Sequence, residues 1–237
     1  MRNLLTWIRR KCARSGLDRE LEPPLRLPVR FRTYESRDFD SLMDIYRLNA
    51  PGRFPAGDEA RFAAFLQAGP DGIIVGELAG KPVCCAGLEL CGKNVFTFCY
   101  NLIHPDCQGQ RLGTTLTHLR VAATGVGNKP GVVHHALVFT VPAAMSYYQR
   151  FDFKEYGTWT SSDGQEHPAA VLAYDTQLTW DIAGVLKWRK IEIKGDFKPA
   201  ISQAGEAKFT KDELGKECIR FAPWPQTAAN VSGESKS

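Results

Sequence analysis

The stretch Phe96–Gly125, FTFCYNLIHPDCQGQRLGTTLTHLRVAATG, constrains this chain more than any other. Up to Ile103 it is aromatic and apolar, and it then stops at His104-Pro105, as a buried strand does. Asp106-Cys107 and the turn Gln108-Gly109-Gln110-Arg111-Leu112-Gly113 follow. Leu112, Leu116, Leu119 and Ala123 then recur at helical spacing, so a helix begins in or just after the turn. A strand, a glycine-bearing turn and a helix N-terminus together make an anion site. The first turn's free N–H groups and the positive end of the helix dipole point the same way, and glycine lets the backbone approach a phosphate closely. Neither G-x-G-x-x-G nor G-x-x-x-x-G-K-[ST] occurs, which argues against a nucleotide turn of another α/β class.

Pro105–Leu116 resembles the acyl-CoA loop of the GNAT acetyltransferase superfamily, whose pattern is Arg/Gln-x-x-Gly-x-Gly/Ala at a strand-to-helix turn. Ala144-Met145-Ser146-Tyr147-Tyr148-Gln149-Arg150-Phe151-Asp152-Phe153 is similar to the family's Ala-x-x-x-Tyr-x-Lys-x-Gly-Phe segment. The two segments stand in the family's order, about one helix and one strand apart, and the resemblance spans roughly Val29 to Asp175. Three positions depart from it. Arg111 and Asp152 stand where glycines are usual, and Val141 where an asparagine is common. Arg111 either narrows the approach to a pyrophosphate or adds a cation that pairs with it; the retained Gln108, Gly109 and Gly113 favour a working loop.

At 237 residues the chain can bury a full core and still carry appendages. Its net charge of +4 is mild and partly gathered at the N-terminus, which argues against a general nucleic-acid binder. No apolar run reaches the length of a membrane span. The 7 cysteines include no Cys-x-x-Cys pair and follow no secretory segment, so they read as reduced thiols in a cytoplasmic setting. Cys99-x4-His104-x2-Cys107 comes nearest to metal spacing, but it mixes a strand with a turn, and no metal is expected.

Residues 1–27 form a basic arm, with Leu4, Leu5, Trp7 and Ile8 followed by Arg9, Arg10, Lys11 and Arg14. It reads as a helical arm, with a membrane-surface or targeting role as the bolder alternative. Residues 28–177 are the expected domain. Val29–Tyr34 alternates as a strand, Asp38 caps a helix burying Leu42, Met43 and Tyr46, and Asp58 caps a second burying Phe62, Phe65 and Leu66. Gly72–Leu78 and Val83–Leu90 read as strands, and Gly92-Lys93 as a two-residue turn that sets Glu89 near Phe96. Val132–Val141 is a strand, Pro142 opens a helix, and Phe153–Thr160 with Ala169–Asp175 close as a hairpin around Ser161–Gly164. The order β-αα-βββ-α-β-α-ββ gives an α/β (α+β) mixed sheet flanked by helices, and the resemblance implies the mainly antiparallel GNAT sheet. Residues 178–225 form an extension with a helix at Leu178–Leu186, strand alternation in Trp188–Phe197, and a Thr210/Glu213 capping box opening a helix to Cys218. Residues 226–237 are a polar tail.

The resemblance implies an acetyl-CoA-dependent N-acyltransferase acting on a primary amine of a small molecule, peptide or protein. It assigns the pantetheine-facing backbone to Leu102 and Ile103, and the pyrophosphate to the amides of Gln108, Gly109, Gln110, Arg111, Leu112, Gly113 and Thr114. Tyr148 matches the acid that protonates the departing thiolate. No carboxylate lies between Asn94 and His104, so the candidate bases are Glu89, His134 and His104. Arg53, Phe54 and Tyr100 are placed at the acceptor pocket. Arg111, Asp152, Val141 and the missing strand carboxylate leave open a non-catalytic CoA-binding or interaction module, and the extension leaves open a homodimer.

Overall fold

The computed structural model describes residues 16–21, 24–50, 53–54, 57–68, 71–160, 166–211, 215 and 217–224. The N-terminal arm up to residue 15, the Ser161–Gly164 turn and the 226–237 tail lie outside the described residues. A short helix α1 (Gly16–Leu21) precedes β1 (Arg30–Thr33), α2 (Phe39–Asn49) and α3 (Asp58–Gln67). Three strands follow, β2 (Ile73–Leu78), β3 (Lys81–Gly92) and β4 (Val95–Ile103), and then α4 (Leu112–Thr124). β5 (Val133–Phe139), α5 (Pro142–Gln149), β6 (Lys154–Thr160), β7 (Glu166–Asp175) and α6 (Thr176–Trp188) complete the expected order. Four further strands come last: β8 (Ile193–Lys194), β9 (Ala200–Ile201), β10 (Glu206–Lys211) and β11 (Glu217–Ala222).

The main sheet runs β6-β7-β5-β4-β3-β2-β1-β8 and is mostly antiparallel, with β4/β5, β1/β8 and β3/β9 parallel. Its strands read as near-continuous apolar runs because both faces are covered. Ile74, Cys84, Ala86 and Leu88 face the layer of α1, α4 and α6. The alternate residues Ile73, Val75 and Cys85 face α2 and α3. On that second face, the β10–β11 hairpin covers the other half of the sheet, where Ala207 and Ile219 pack with Cys91, Val95, Leu137 and Ala169. Two different layers therefore share one face and leave a gap between them. Among the described residues no helix is long and apolar enough to cross a membrane.

Several local expectations change. Asp38 does not cap α2 with its side chain. It ends a 3-10 turn, accepts from the Glu35 N–H at 2.9 Å, and takes both Arg32 terminal nitrogens at 2.6 and 2.8 Å. Burial alone would raise its pKa, but the Arg32 guanidinium and the Glu35 amide hold it below the ordinary carboxylate range. Asp38→Asn is therefore expected to lower stability by about 2–3 kcal/mol at pH 7, read as a denaturant midpoint shift, because Arg32 loses a buried counter-charge. The native contribution is present above the unfolded pKa of about 4 and is lost as pH falls through the depressed folded value.

Gly57, at φ 81°, holds the position before α3, and Asp58 is the first helical residue. The β3–β4 turn is Lys93-Asn94, with Asn94 at φ 60°, a conformation asparagine tolerates. The register therefore sets Glu89 opposite Thr97, and Leu90 opposite Phe96. Thr210 opens no helix; it pairs with Cys218 across the β10–β11 hairpin, while Glu213 lies outside the described residues. Of Trp188–Phe197, only Ile193–Lys194 forms a strand.

Candidate functional site

β4 stays with β5 only from Val95 to Thr97, whose partners are His135 and Leu137, and then the two parallel strands part. β4 also bulges against β3. Cys99 opposes Gly87 and Leu102 opposes Cys85, and between them Tyr100 sits at φ 46°, strained for a non-glycine residue. The parted strands open a cavity of about 1220 Å³, which extends into the gap between α2/α3 and the β10–β11 hairpin.

The turn after β4 forms one wall. A 3-10 turn at Pro105–Cys107 leads to Gly109 at φ 72° and Arg111 at φ 68°, and α4 starts at Leu112. Arg111 thus holds the left-handed backbone that glycine takes freely, at a cost of about 1–2 kcal/mol. Its guanidinium is turned toward α1, where it donates to the Glu20 carbonyl and, at 3.2 Å, to the Glu20 carboxylate. Arg150 donates to the same carboxylate at 3.0 Å. Asp152 repeats the pattern. At φ 66° its carboxylate accepts from the Gly16 N–H and pairs with Arg19 at 3.1 Å. Both residues that stand where the resembled family has glycines keep a left-handed backbone and bind α1.

Gln108, Gly109, Arg111, Leu112, Gly113, Thr114 and Ile103 line the cavity, whereas Leu102 and Gln110 do not. Gly113 is packed closely: a Cβ there would stand 3.1 Å from Ile103 Cδ1 and 3.2 Å from the Tyr147 hydroxyl. The Ile103 carbonyl accepts from Asn49 Nδ2 at 2.9 Å and from Gln108 Nε2 at 3.3 Å, which ties the turn to α2.

Tyr148 lines the facing wall at 8% exposure, edge-on to Tyr147 and Phe153. Burial pushes its phenol up to about 12, while the positive charge of Arg120 acts the other way. Beside it, the Tyr147 hydroxyl meets Thr117 Oγ1 at 2.9 Å and accepts from Asn101 Nδ2 at 3.3 Å. Glu89, across the ladder from the last β4 residue paired with β5, also lines the cavity. Burial pushes its carboxyl up to about 7, and the Ser202 hydroxyl, donating at 3.4 Å, opposes the shift. Arg53, Phe54 and Tyr100 line the same space, and Arg53 donates to Asn49 Oδ1 at 3.3 Å.

His134 is not in this site. The period of β5 turns it, with Ala136 and Val138, into the core on the α4/α6 face, where it meets Thr176 Oγ1 at 3.0 Å and stacks on Tyr174. Burial, and then the neighbouring His135, lower its pKa below the ordinary imidazole value. His104 is at the 3-10 turn, accepting from the Asp106 N–H at 3.3 Å, and does not line the cavity.

Ser202, which lines the cavity, was not legible as a site residue, nor was the full burial of Arg120 in α4. The run Leu112, Leu116, Arg120, one position in four on a single helix face, was the available signal for Arg120. Ser202 had none, since β9 brings it beside β3 from more than a hundred residues away. Among the described residues no group of His, Cys, Asp and Glu could hold a metal ion.

No protein-family model and no curated protein matches the sequence. Solved structures do match. A GNAT-family acetyltransferase from Staphylococcus aureus Mu50 aligns at TM-score 0.50 and 11% identity, over 61% of this chain and 98% of that one. Ard1 from Thermoplasma volcanium aligns at 0.49 and 14%, over 63% and 98%. The loading GNATL domain of CurA from Lyngbya majuscula aligns at 0.48 and 15%, over 63% and 98%. Strand order and the first of these likenesses agree that the chain has the GNAT fold.

Proposed function

We propose that the protein transfers an acetyl group from acetyl-CoA to a primary amine of a small molecule, peptide or protein. The observation that carries the reading is the parting of β4 from β5 after Thr97, between a left-handed turn at a helix N-terminus and Tyr148. The amides from Gly109 to Thr114 suit a pyrophosphate, whereas the Gln108 N–H already donates to the Pro105 carbonyl at 3.1 Å, and the unpaired edge of β4 offers backbone groups to an extended pantetheine arm. Acetyl-CoA supplies the activated acyl group. Glu89, half-ionised near pH 7, takes a proton from the attacking amine as the C–N bond forms. Tyr148, protonated at neutral pH, gives its proton to the sulfur as the C–S bond breaks. The phenolate regains a proton as product leaves.

The acceptor enters between α2/α3 and the C-terminal hairpin, whose Ile219 and Phe221 join Arg53, Phe54 and Tyr100 around it. Release of free thiol from acetyl-CoA over a panel of amines tests the activity, and no release with any amine would count against it. Rate should rise through about pH 7 as Glu89 ionises. Ser202→Ala removes a hydrogen bond to the ionised form, so the acid limb of the pH–rate profile should move upward by about half a unit. An unmoved limb would remove Glu89 from the base role.

One observation favours a second reading, a CoA-binding module without turnover. Glu20 places a carboxylate against Arg111 and Arg150 at the rim of the proposed anion site. Saturable CoA binding with no thiol release would support it.

A further inference from the structure

Arg120 is the largest fully buried side chain of the described residues, at 0% exposure. Among those residues no carboxylate pairs with it. Its Nη1 is shared between the carbonyls of Gly87 and Cys99 at 3.4 Å each, its Nε reaches the Leu116 carbonyl at 3.4 Å, and its Nη2 reaches Thr117 Oγ1 at 3.4 Å. All four contacts are long and all four acceptors are neutral. The guanidinium carbon lies 4.4 Å over the Phe98 ring. An unpaired buried cation is strongly unfavourable and calls for a reason beyond packing.

Its position supplies one. Gly87 and Cys99 are the ladder pair at the edge of the bulge, so one nitrogen ties both strands where β4 turns away from β5. From Nη2 a polar chain runs through Thr117 Oγ1 and the Tyr147 hydroxyl to Asn101, which lines the cavity and whose Oδ1 is buried without a partner. The groups that face Arg120 are Tyr147 and Tyr148 from α5, Cys99 from β4 and Cys85 from β3, all of them neutral when protonated. Glu89 is the nearby carboxylate acting on Cys99, and Arg120 acts on that thiol with the opposite sign.

We propose that Arg120 is a positioning residue for acyl transfer, clamping the bulge and supplying the buried positive potential against which negative charge grows on the departing sulfur and on the Tyr148 oxygen. The inference rests on the acetyl-transfer reading of the site. It explains why an arginine occupies a leucine-like position of α4: the transition state carries the counter-charge that none of the described residues supplies at rest.

The test follows the thiolate absorption of CoA bound to the full chain as pH is raised, in the unmodified protein, Arg120→Met, Arg120→Gln and Arg120→Lys. The thiol midpoint should rise by about one pH unit in the neutral variants and return toward its original value with lysine. Turnover should fall about tenfold to a hundredfold in the neutral variants, with the KM for acetyl-CoA changed less than about threefold. An unchanged midpoint, a shift that lysine does not reverse, or loss of CoA binding in both neutral variants that remain folded would overturn the proposal. CoA that fails to bind the unmodified protein overturns the donor site itself, and this inference with it.

Discussion

Gly113→Asp is expected to weaken acetyl-CoA binding by at least about a hundredfold while leaving a cooperatively folding protein. Gly113 stands in the first turn of α4, where free amides and the helix dipole favour a bound anion. A carboxylate there meets the pyrophosphate as a like charge in a partly enclosed space, where a few ångströms' separation is worth several kcal/mol. Its Cβ would also press on Ile103 and the Tyr147 hydroxyl at 3.1 and 3.2 Å, both of which line the cavity. An acidic residue in a first helical turn is itself favourable, so the fold should survive. Gly113→Ala separates the two effects: it keeps the crowding and lacks the charge, and it should weaken binding by only about tenfold. Calorimetric titration of both variants reads the difference, and equal affinity for Gly113→Asp and the unmodified protein would discard the loop assignment.

Tyr148→Phe is expected to lower kcat by about a hundredfold to ten-thousandfold, with acetyl-CoA affinity within about threefold of the original. The phenyl ring keeps the edge-on contacts with Tyr147 and Phe153, so thermal stability should change little. What is lost is the proton for the leaving thiolate. A variant at full rate would return Tyr148 to the core and move attention to Tyr147, whose hydroxyl is already engaged by Thr117 and Asn101.

The strand, turn and helix around Gly109 were legible because their signals are local: an apolar run, a proline stop, glycines and a helical repeat all lie within thirty residues. What misled was pattern shared by two faces. β5 is apolar on both sides because both are covered, so period two could not say whether His134 faced the site or the core. Asp38 and Thr210 fit helix-capping patterns, but other partners won. Arg32 reaches Asp38 from β1, and β10 seats Ala207 over Cys91 and Leu137. The meaning of Arg111 and Asp152 was equally hidden. Read alone they break a glycine pattern, whereas in the fold each grips α1, across 91 and 136 residues of chain. Truncating α1 would therefore remove Leu17 and Leu21 from the core and the partners of both charges.

The most direct test of the whole account is calorimetric titration of acetyl-CoA into the full-length chain. One saturable site of micromolar Kd, abolished in Gly113→Asp, is the predicted result. No heat of binding across accessible concentrations would mean that the Arg111 turn and Glu20 close the anion site, and the acyl-transfer reading would fall with it.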